Sequence, residues 1–433
     1  MIVRLARWFD DRLGAASFTR RAIGKVFPDH WSFMLGEIAL FSFIMLVGTG
    51  LFLAMFFNAS ETRVVYDGSY EALKGVQMSA AYRSALEITF DVPAGLLVRQ
   101  IHHWAALIFV GAIAIHLARI FFTGAFRRPR EINWLIGATL LVLGMLNGFT
   151  GYSVPDDLLS GTGLRIAYSV LLSVPFIGDW LAFILFGGRV PSELTISRLY
   201  GLHIVVPFLI LALLAAHLMI LWRQKHTNRT GPGRTNTRIV GSRLWPTYAA
   251  KSLGLFFIVS GAAAALGGLV QINPVWLYGP FQSDAVSSGS QPDWYIIWLE
   301  GALRLFPAAD FQIGGRLVPG IFFPGILLPL VMFGILYAWP FLEARLTGDH
   351  ECHHVLERPS QSPFRTAFGC AALTFLLVLI VAGSDDVVAM VTGGSVAALR
   401  SALRMLVFAA PAAVGVAAFF FCRTMKAARR AQA

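Results

Sequence analysis

The sequence predicts an all-α membrane protein with eight transmembrane helices, the first four forming a four-helix bundle after an N-terminal amphipathic helix. Of the 433 residues, 56% are apolar and only 14% are charged, and the mean hydropathy is +0.66. Soluble domains have about 25% charged residues. Apolar runs long enough to cross a bilayer cover residues 37–57, 103–122, 133–152, 199–222, 253–273, 318–342, 366–392 and 402–422. Two of the first four runs also carry histidine pairs of identical spacing.

The amphipathic N-terminal segment, residues 1–30, is predicted to lie on the membrane surface. It places Arg4, Arg7 and Arg12 among Leu5 and Trp8, a pattern typical of interfacial helices. The net charge of +11 therefore does not call for nucleic acid as a partner, because anionic lipid headgroups account for it.

The distribution of Lys and Arg predicts that both chain termini are cytoplasmic. Eight spans put the termini on one side, and most of the 35 basic residues fall in the segments that are then internal, as the positive-inside rule requires. The connection at 223–251 carries Arg223, Lys225, Arg229, Arg234, Arg238, Arg243 and Lys251.

The two histidine pairs are His102/His116 in the second span and His203/His217 in the fourth. The members of each pair are 14 residues apart, so on a helix they lie about 21 Å apart and within about 40° of one face. Two such helices side by side offer two facing pairs, and haem iron is often held by axial histidine. The spacing predicts two b-type haems at two depths. Histidines that act as proton relays in a haem-free transporter are the alternative.

Four glycines repeat the interval. Gly36 and Gly50 lie on the first span, and Gly137 and Gly151 on the third, again 14 residues apart. Glycine is expected where a porphyrin approaches the helix backbone and leaves no room for a Cβ atom. The alternative is that small residues only help membrane helices to pack.

Two arginines flank the histidines of the second span. Arg99 precedes His102 and Arg119 follows His116, and a guanidinium suits a carboxylate such as a haem propionate. His103 points about 100° away from His102, so we expect a polar or structural role for it.

Residues near the cytoplasmic end of the sixth span form a second cluster of metal-capable side chains, at His350, Cys352, His353 and His354. The spacing is too compressed for an ordinary zinc site. A solvated loop is the preferred interpretation.

These features together resemble cytochrome b, the quinol-oxidising haem subunit of the cytochrome bc complexes. Gly151–Pro155 resembles the Gly-Tyr-x-x-Pro that follows the third helix of that family, and Pro292–Tyr295 resembles its Pro-Glu-Trp-Tyr segment. The segments Phe122–Arg130 and Pro155–Gly161 look most like those of actinobacterial members.

The resemblance implies a redox enzyme subunit in a bacterial cell membrane. His102 and His203 would ligate the lower-potential haem near the outer face, and His116 and His217 the higher-potential haem near the cytoplasm. Menaquinol would be oxidised at an outer site. One electron would pass to a Rieske iron–sulfur protein, and the other would cross the haems to an inner quinone site. These electron transfers would be coupled to proton translocation. The implied partners are a c-type cytochrome, a terminal cytochrome c oxidase and a second copy of the complex. The actinobacterial resemblance suggests that the c-type cytochrome is dihaem.

At the outer site, Asp293 is the candidate general base. Family members commonly have Glu there, so the side chain is one methylene shorter here; a carboxylate that caps a short helix is the alternative. Tyr152 and Tyr295 are candidate wall residues. Asp156 and Asp157 replace a Trp-Gly of many members, which predicts a more polar site.

At the inner site, Trp222 and Ser252 stand where mitochondrial members have a histidine and an aspartate. Lys251 and His226 are the remaining candidates.

The chain is expected to divide into the surface helix (1–30), the dihaem bundle (31–225), a basic connection (226–252) and a C-terminal part (253–433). A dihaem membrane anchor of a quinone-linked dehydrogenase is a third possible function, although such anchors are typically smaller and lack the 292–295 motif.

Overall fold

The computed structural model describes residues 2–188, 192–285 and 291–432, and it is mostly helical. Eight of its described helical segments are long and apolar enough to cross a membrane, as predicted. These helices are α3 (Leu35–Ala54), α5 (Gly95–Phe122), α6 (Glu131–Ser153), α9 (Thr195–Gln224), α10 (Ala249–Leu269), α13 (Leu328–Thr347), α14 (Pro363–Gly383) and α16 (Val396–Gln432). Short π-helical segments at Leu244–Tyr248 and Phe323–Leu327 extend α10 and α13 at their N-terminal ends.

Shorter elements connect these helices. The shorter helices are α1 (Ile2–Leu13), α2 (Ala15–Ile23), α4 (Ala80–Phe90), α7 (Leu158–Leu172), α8 (Gly178–Phe186), α11 (Val275–Tyr278), α12 (Trp294–Leu305) and α15 (Asp385–Thr392). The strands form three antiparallel pairs: β1 (Val26–Phe27) with β4 (Ser242–Arg243), β2 (Arg63–Val65) with β3 (Gln77–Ser79), and β5 (Phe311–Ile313) with β6 (Arg316–Val318).

The N-terminal segment forms two helices where the sequence predicts one. Gly14 separates α1 from α2 and has a left-handed backbone, with φ +59°, a conformation that glycine adopts at little steric cost. Leu5 and Trp8 on α1 are largely exposed, so an apolar surface remains uncovered by the rest of the chain.

Helices α3, α5, α6 and α9 share one buried apolar cluster. Phe43 of α3, Phe109 of α5, Leu140 of α6 and Ile210 of α9 all belong to it. Tyr295 from α12 joins the same cluster. The helix that follows the Pro-Asp-Trp-Tyr segment is thereby packed against the first four spans.

In the second half of the chain, α12 packs against α14, and α14 against α16. Gly301 of α12 lies against the backbone carbonyl of Leu379 in α14. A side chain there would collide with main-chain atoms, so this contact fixes α12 closely against a spanning helix.

The apolar run predicted at 366–392 is divided between α14 and α15. Asp385 starts α15, and acidic residues are favourable at a helix N-terminus. The sequence predicts that the aspartates at 385 and 386 mark the outer end of the span, and the helix does end at Gly383. Asp385 is nevertheless fully buried, with ion pairs to Arg304 at 2.6 Å and Arg400 at 2.8 Å. These partners offset the cost of burying the charge.

Candidate functional site

The outer histidines, His102 of α5 and His203 of α9, face each other across the bundle. Their ring centroids are 6.3 Å apart and their planes are inclined by 67°. The Nδ1 atom of His102 lies 2.8 Å from the Thr49 hydroxyl, and that of His203 lies 3.0 Å from the Asn147 carbonyl. A carbonyl can only accept, so His203 carries its proton on Nδ1 and its Nε2 is free to bind a metal. The separation suits two imidazoles that share one metal ion, with bonds of about 2 Å to each.

The four glycines selected from the sequence each lie beside one of the four histidines. A Cβ atom built on each glycine would approach the Cε1 atom of one imidazole. The distances are 3.3 Å for Gly36 and His116, 3.2 Å for Gly50 and His102, 3.6 Å for Gly137 and His217, and 2.5 Å for Gly151 and His203. The glycine spacing predicts porphyrin faces where the Cβ atoms are missing, whereas the nearest neighbours in the structure are the histidine rings. The glycines thus make space at the same four positions.

The inner histidines, His116 and His217, are buried at the second depth. Their Nδ1 atoms have no hydrogen-bond partner within the part of the chain that the structure describes. The hydrogen bonds to Thr49 and Asn147 therefore fix the ring orientations of the outer pair.

Arg99 and Arg119 each present buried guanidinium nitrogens, Nε and Nη2, that lack a hydrogen-bond partner among the described residues. Arg99 Nη1 makes one long contact of 3.5 Å to the Asn273 carbonyl, and the Arg119 guanidinium lies 4.1 Å above the Phe33 ring. Buried guanidinium groups require an anionic or acceptor partner. Both residues are therefore suited to an acidic group such as a haem propionate.

A cavity of about 530 Å³ extends from the outer histidine pair to the segment before α12. His102, His203, Tyr152, Asp293 and Tyr295 all contribute to its walls. The structure thus brings the outer ligand candidates and the outer quinol candidates to one continuous space.

Within this cavity, the Asp293 carboxylate is held between two side chains. His103 Nε2 lies 2.9 Å from Oδ1, and the Tyr295 hydroxyl donates to Oδ2 at 3.0 Å. The Asp293 side chain is only 10% exposed. It makes no capping hydrogen bond to α12, so the alternative of a helix cap does not hold. The carboxylate is available for chemistry inside the cavity.

Tyr152 and Tyr295 have different surroundings. Tyr295 is buried against Gly148 of α6, which has no side chain to block the hydroxyl. Tyr152 lines the cavity and lies beside Gly163 of α7.

Asp156 and Asp157 are both buried at the start of α7. The Asp157 carboxylate accepts a hydrogen bond from the Ser160 amide at 2.9 Å and lines the cavity. Burial raises the pKa of Asp157 to about 7 and that of Asp156 to about 6. Asp157 adds a carboxyl group to the lining of the outer cavity, whereas Asp156 lies beside Ser79 and does not line it.

The inner candidates do not line this cavity and lie beyond the inner histidines, at the opposite end of the bundle. Lys251 pairs with Asp29 at 2.6 Å, and both side chains are more than 40% exposed. His226 packs against Phe27 with ring centroids 4.5 Å apart. Burial lowers the pKa of His226 to about 4, with a further contribution from the nearby charge of Lys25. His226 is therefore neutral near pH 7.

The cluster at 350–354 is used in hydrogen bonds. His353 Nε2 lies 2.9 Å from the Asp349 carboxylate, and His354 Nδ1 lies 2.9 Å from the guanidinium of Arg130. No group of three potential metal ligands occurs among the residues described. Cys352 is exposed and unpaired.

Sequence reasoning did not select His103, Thr49 or Thr150 for the site. Both threonines contact a ligand candidate 53 residues further on, at 2.8 Å for Thr49 and His102 and 3.2 Å for Thr150 and His203. The signal was present, because a threonine precedes each outer glycine but neither inner one. No local signal links His103 to the Asp293 segment.

Known proteins are similar to this chain over most of its length. Residues 107–280 match the family described as cytochrome b (N-terminal)/b6/petB. The chain is 48% identical over 421 residues to the cytochrome bc1 complex cytochrome b subunit of Streptomyces coelicolor, covering 97% of this chain and 77% of that one. It is 51% identical over 392 residues to the corresponding Mycobacterium leprae subunit, covering 90% and 71%.

A solved structure has the same fold. A chain of a hyperthermophilic respiratory Complex III aligns with a TM-score of 0.70, covering 96% of this chain and 98% of that chain. The sequence identity is 20%, so this likeness bears on the fold alone.

Proposed function

The chain belongs to the cytochrome b subunits of cytochrome bc1 complexes, and we propose from that membership how its own residues divide the work. It is the haem b subunit of a quinol–cytochrome c oxidoreductase and a multi-pass membrane protein.

Two haems b are bound, one at each depth of the bundle. His102 and His203 hold the outer group, and His116 and His217 hold the inner one, with Arg99 and Arg119 neutralising propionates. The observation that carries this assignment is the contact of each histidine with its own glycine. Haem bound at these positions supplies reversible one-electron transfer between the two sides of the membrane.

Menaquinol is oxidised in the outer cavity, where Asp293 accepts a proton from a quinol hydroxyl. His103 and Tyr295 both contact the carboxylate and orient it. Tyr152 forms a wall of the same space.

The partners are a Rieske iron–sulfur protein and a c-type cytochrome, because relatives at about 50% identity are subunits of bc1 complexes. We extend this to a dihaem cytochrome c, a homodimer of the complex and association with a terminal cytochrome c oxidase. The membrane is the bacterial plasma membrane, with both termini cytoplasmic. The exposed apolar side chains and the arginines of α1 support an interfacial position for residues 1–30. We also propose that the chain divides into four parts, with boundaries after residues 30, 225 and 252.

The competing functions lack comparable support. A haem-free transporter would leave the buried guanidinium nitrogens of Arg99 and Arg119 without an anion. A dehydrogenase anchor would not need Asp293 to face the outer cavity.

The test is a dithionite-reduced minus oxidised spectrum of the purified complex, with haem quantified per copy of this chain. Two b haems that titrate at two potentials are expected. One haem per chain would reject the two-depth assignment. A folded preparation without haem would mean that the histidines act as proton relays instead.

A further inference from the structure

An unpaired carboxylate lies at the cytoplasmic end of the bundle, on Glu37 of α3. The preceding residue, Gly36, faces the His116 imidazole, so Glu37 lies at the depth of the inner histidine pair. Its carboxylate forms no ion pair with any residue that the structure describes. An ionisable side chain at the edge of a membrane span without a counter-charge is a candidate for function.

Two hydroxyl groups from the fifth span hold this carboxylate. The Ser252 hydroxyl donates to Oε2 at 2.7 Å, and the Tyr248 hydroxyl donates to Oε1 in a short hydrogen bond. Ser252 is the position at which mitochondrial members have an aspartate. The structure therefore places a carboxylate next to the serine, supplied by a different helix.

Flat side chains adjoin the carboxylate on one side. The Tyr248 ring stacks on Phe27 with centroids 4.6 Å apart and planes inclined by 29°. Phe27 also contacts His226, with ring centroids 4.5 Å apart. Pairing of β1 with β4 brings Phe27 to this place. Aromatic surfaces beside one polar group are suited to a planar apolar ring that carries oxygen atoms.

The other candidates are less suited to give up a proton. Lys251 is engaged with Asp29 in a solvated pair. His226 is neutral near pH 7 and has no acidic proton to donate.

We propose that the carboxyl group of Glu37 donates a proton to quinone reduced at the inner site, and that Tyr248 and Ser252 are the residues that position it. This inference rests on the proposed function. Reduction of one quinone to quinol consumes two electrons, supplied by quinol oxidation on the outer side, and two protons. Glu37 transfers one proton to a quinone oxygen and is reprotonated by cytoplasmic water, which also supplies the second proton.

The test uses the purified complex with only the higher-potential haem reduced, mixed rapidly with a short-chain naphthoquinone. Glu37→Gln keeps one oxygen that can accept from Tyr248 or from Ser252 but removes the transferable proton. We expect haem oxidation to slow by about 100-fold, within the usual range for loss of a general acid. Haem content and both potentials should be unchanged, and a carboxyl band should disappear from the redox-difference infrared spectrum.

A second variant restores the carboxylate from the other side. In Glu37→Gln/Ser252→Asp, the new carboxyl group lies at the former hydroxyl position, and at least tenfold recovery of the oxidation rate is expected. The exposed Glu71, whose pair with Lys74 is solvated, gives the matched control Glu71→Gln with the wild-type rate. A wild-type rate in Glu37→Gln would overturn the proposal, as would failure of the double variant to recover.

If Glu37→Gln loses the inner haem, Tyr248→Phe decides the matter. This change removes one positioning hydroxyl and retains the carboxylate, so slower oxidation and a shifted carboxyl band are expected, and an unaltered rate and band overturn the proposal. Failure of the proposed outer-site chemistry is recognised separately, because it alters reduction by quinol rather than oxidation by quinone.

Discussion

The imidazole of His103 lies 2.9 Å from the carboxylate of Asp293, although 190 residues separate them in the sequence. The contact joins the helix that carries two histidine ligand candidates to the segment that closes the outer cavity. The proposed proton acceptor is thereby joined to the helix that carries two of the proposed haem ligands.

Replacement of Asp293 by Asn is expected to slow quinol oxidation by about 100-fold while both haems remain bound, because the amide cannot take up the proton. The amide oxygen can still accept from Tyr295, so the surroundings are retained. Stopped-flow reduction of the haems by quinol measures the effect, and Asp91→Asn at an exposed position is the control. Normal oxidation in Asp293→Asn would mean that another group is the base.

Replacement of His203 by Leu is expected to remove the outer haem and leave the inner one, and His217→Leu should do the reverse. Each change deletes one of two axial ligands at a single depth. Haem per chain and the redox titration distinguish the two losses. The pairing of histidines is wrong if neither variant loses haem, or if both lose the same component.

The four glycines should tolerate alanine in the order of their distances to histidine. A Cβ atom at Gly151 would lie 2.5 Å from His203, but one at Gly137 would lie 3.6 Å from His217. Gly151→Ala must therefore displace the ring and is expected to lose or shift the outer haem, whereas Gly137→Ala should retain the inner haem.

The control for this series is Gly201→Ala in the same helix as His203. A Cβ atom there meets no other atom within 4 Å, so haem content should be unchanged. Equal effects at 151 and 201 would point to general disturbance of the membrane helices rather than to contact with the ligand.

The buried Asp157 should make stability depend on pH. Its pKa is raised from 3.8 to about 7 in the folded protein, so the folded state binds the proton more tightly than the unfolded state. Stability is then greatest below about pH 4 with respect to this group and is lost as pH rises towards 7. Asp157→Asn, which can still cap α7, should reduce that loss.

Thermal unfolding of the complex between pH 5 and pH 8 measures this dependence. Part of the slope should remain in Asp157→Asn, because burial also raises the pKa of Glu61 to about 7. Asp67→Asn changes an aspartate with a 74% exposed side chain and should leave the slope as it is. An undiminished slope in Asp157→Asn would exclude this carboxyl as a source.

The spans and the shared depths of the histidines and glycines could be predicted from the sequence because each depends on local spacing, whereas the direct approach of each glycine to a histidine ring was not predicted. A membrane demands long apolar runs, and the helical repeat converts an interval of 14 residues into a shared face. For that reason the spacing alone assigns Gly50 and His102 to one depth.

Contacts between distant segments could not be predicted in this way. Glu37 meets Tyr248 and Ser252 more than 200 residues later, and nothing near Glu37 in the sequence specifies those partners. The burial of Asp385 similarly depends on Arg304, contributed by another helix. The break after Gly383 could not be predicted from the apolar run at 366–392, because hydropathy does not show that the charges at the end of the helix are paired.

The continuity of α5 between His102 and His116 restricts how the gene can change. One residue inserted between them would turn the second histidine about 100° around the helix axis and away from His217. Insertions and deletions that survive selection must therefore fall in the connections, such as the hairpin of β2 and β3. Homologous chains should differ in loop length while the intervals inside the four bundle helices stay constant.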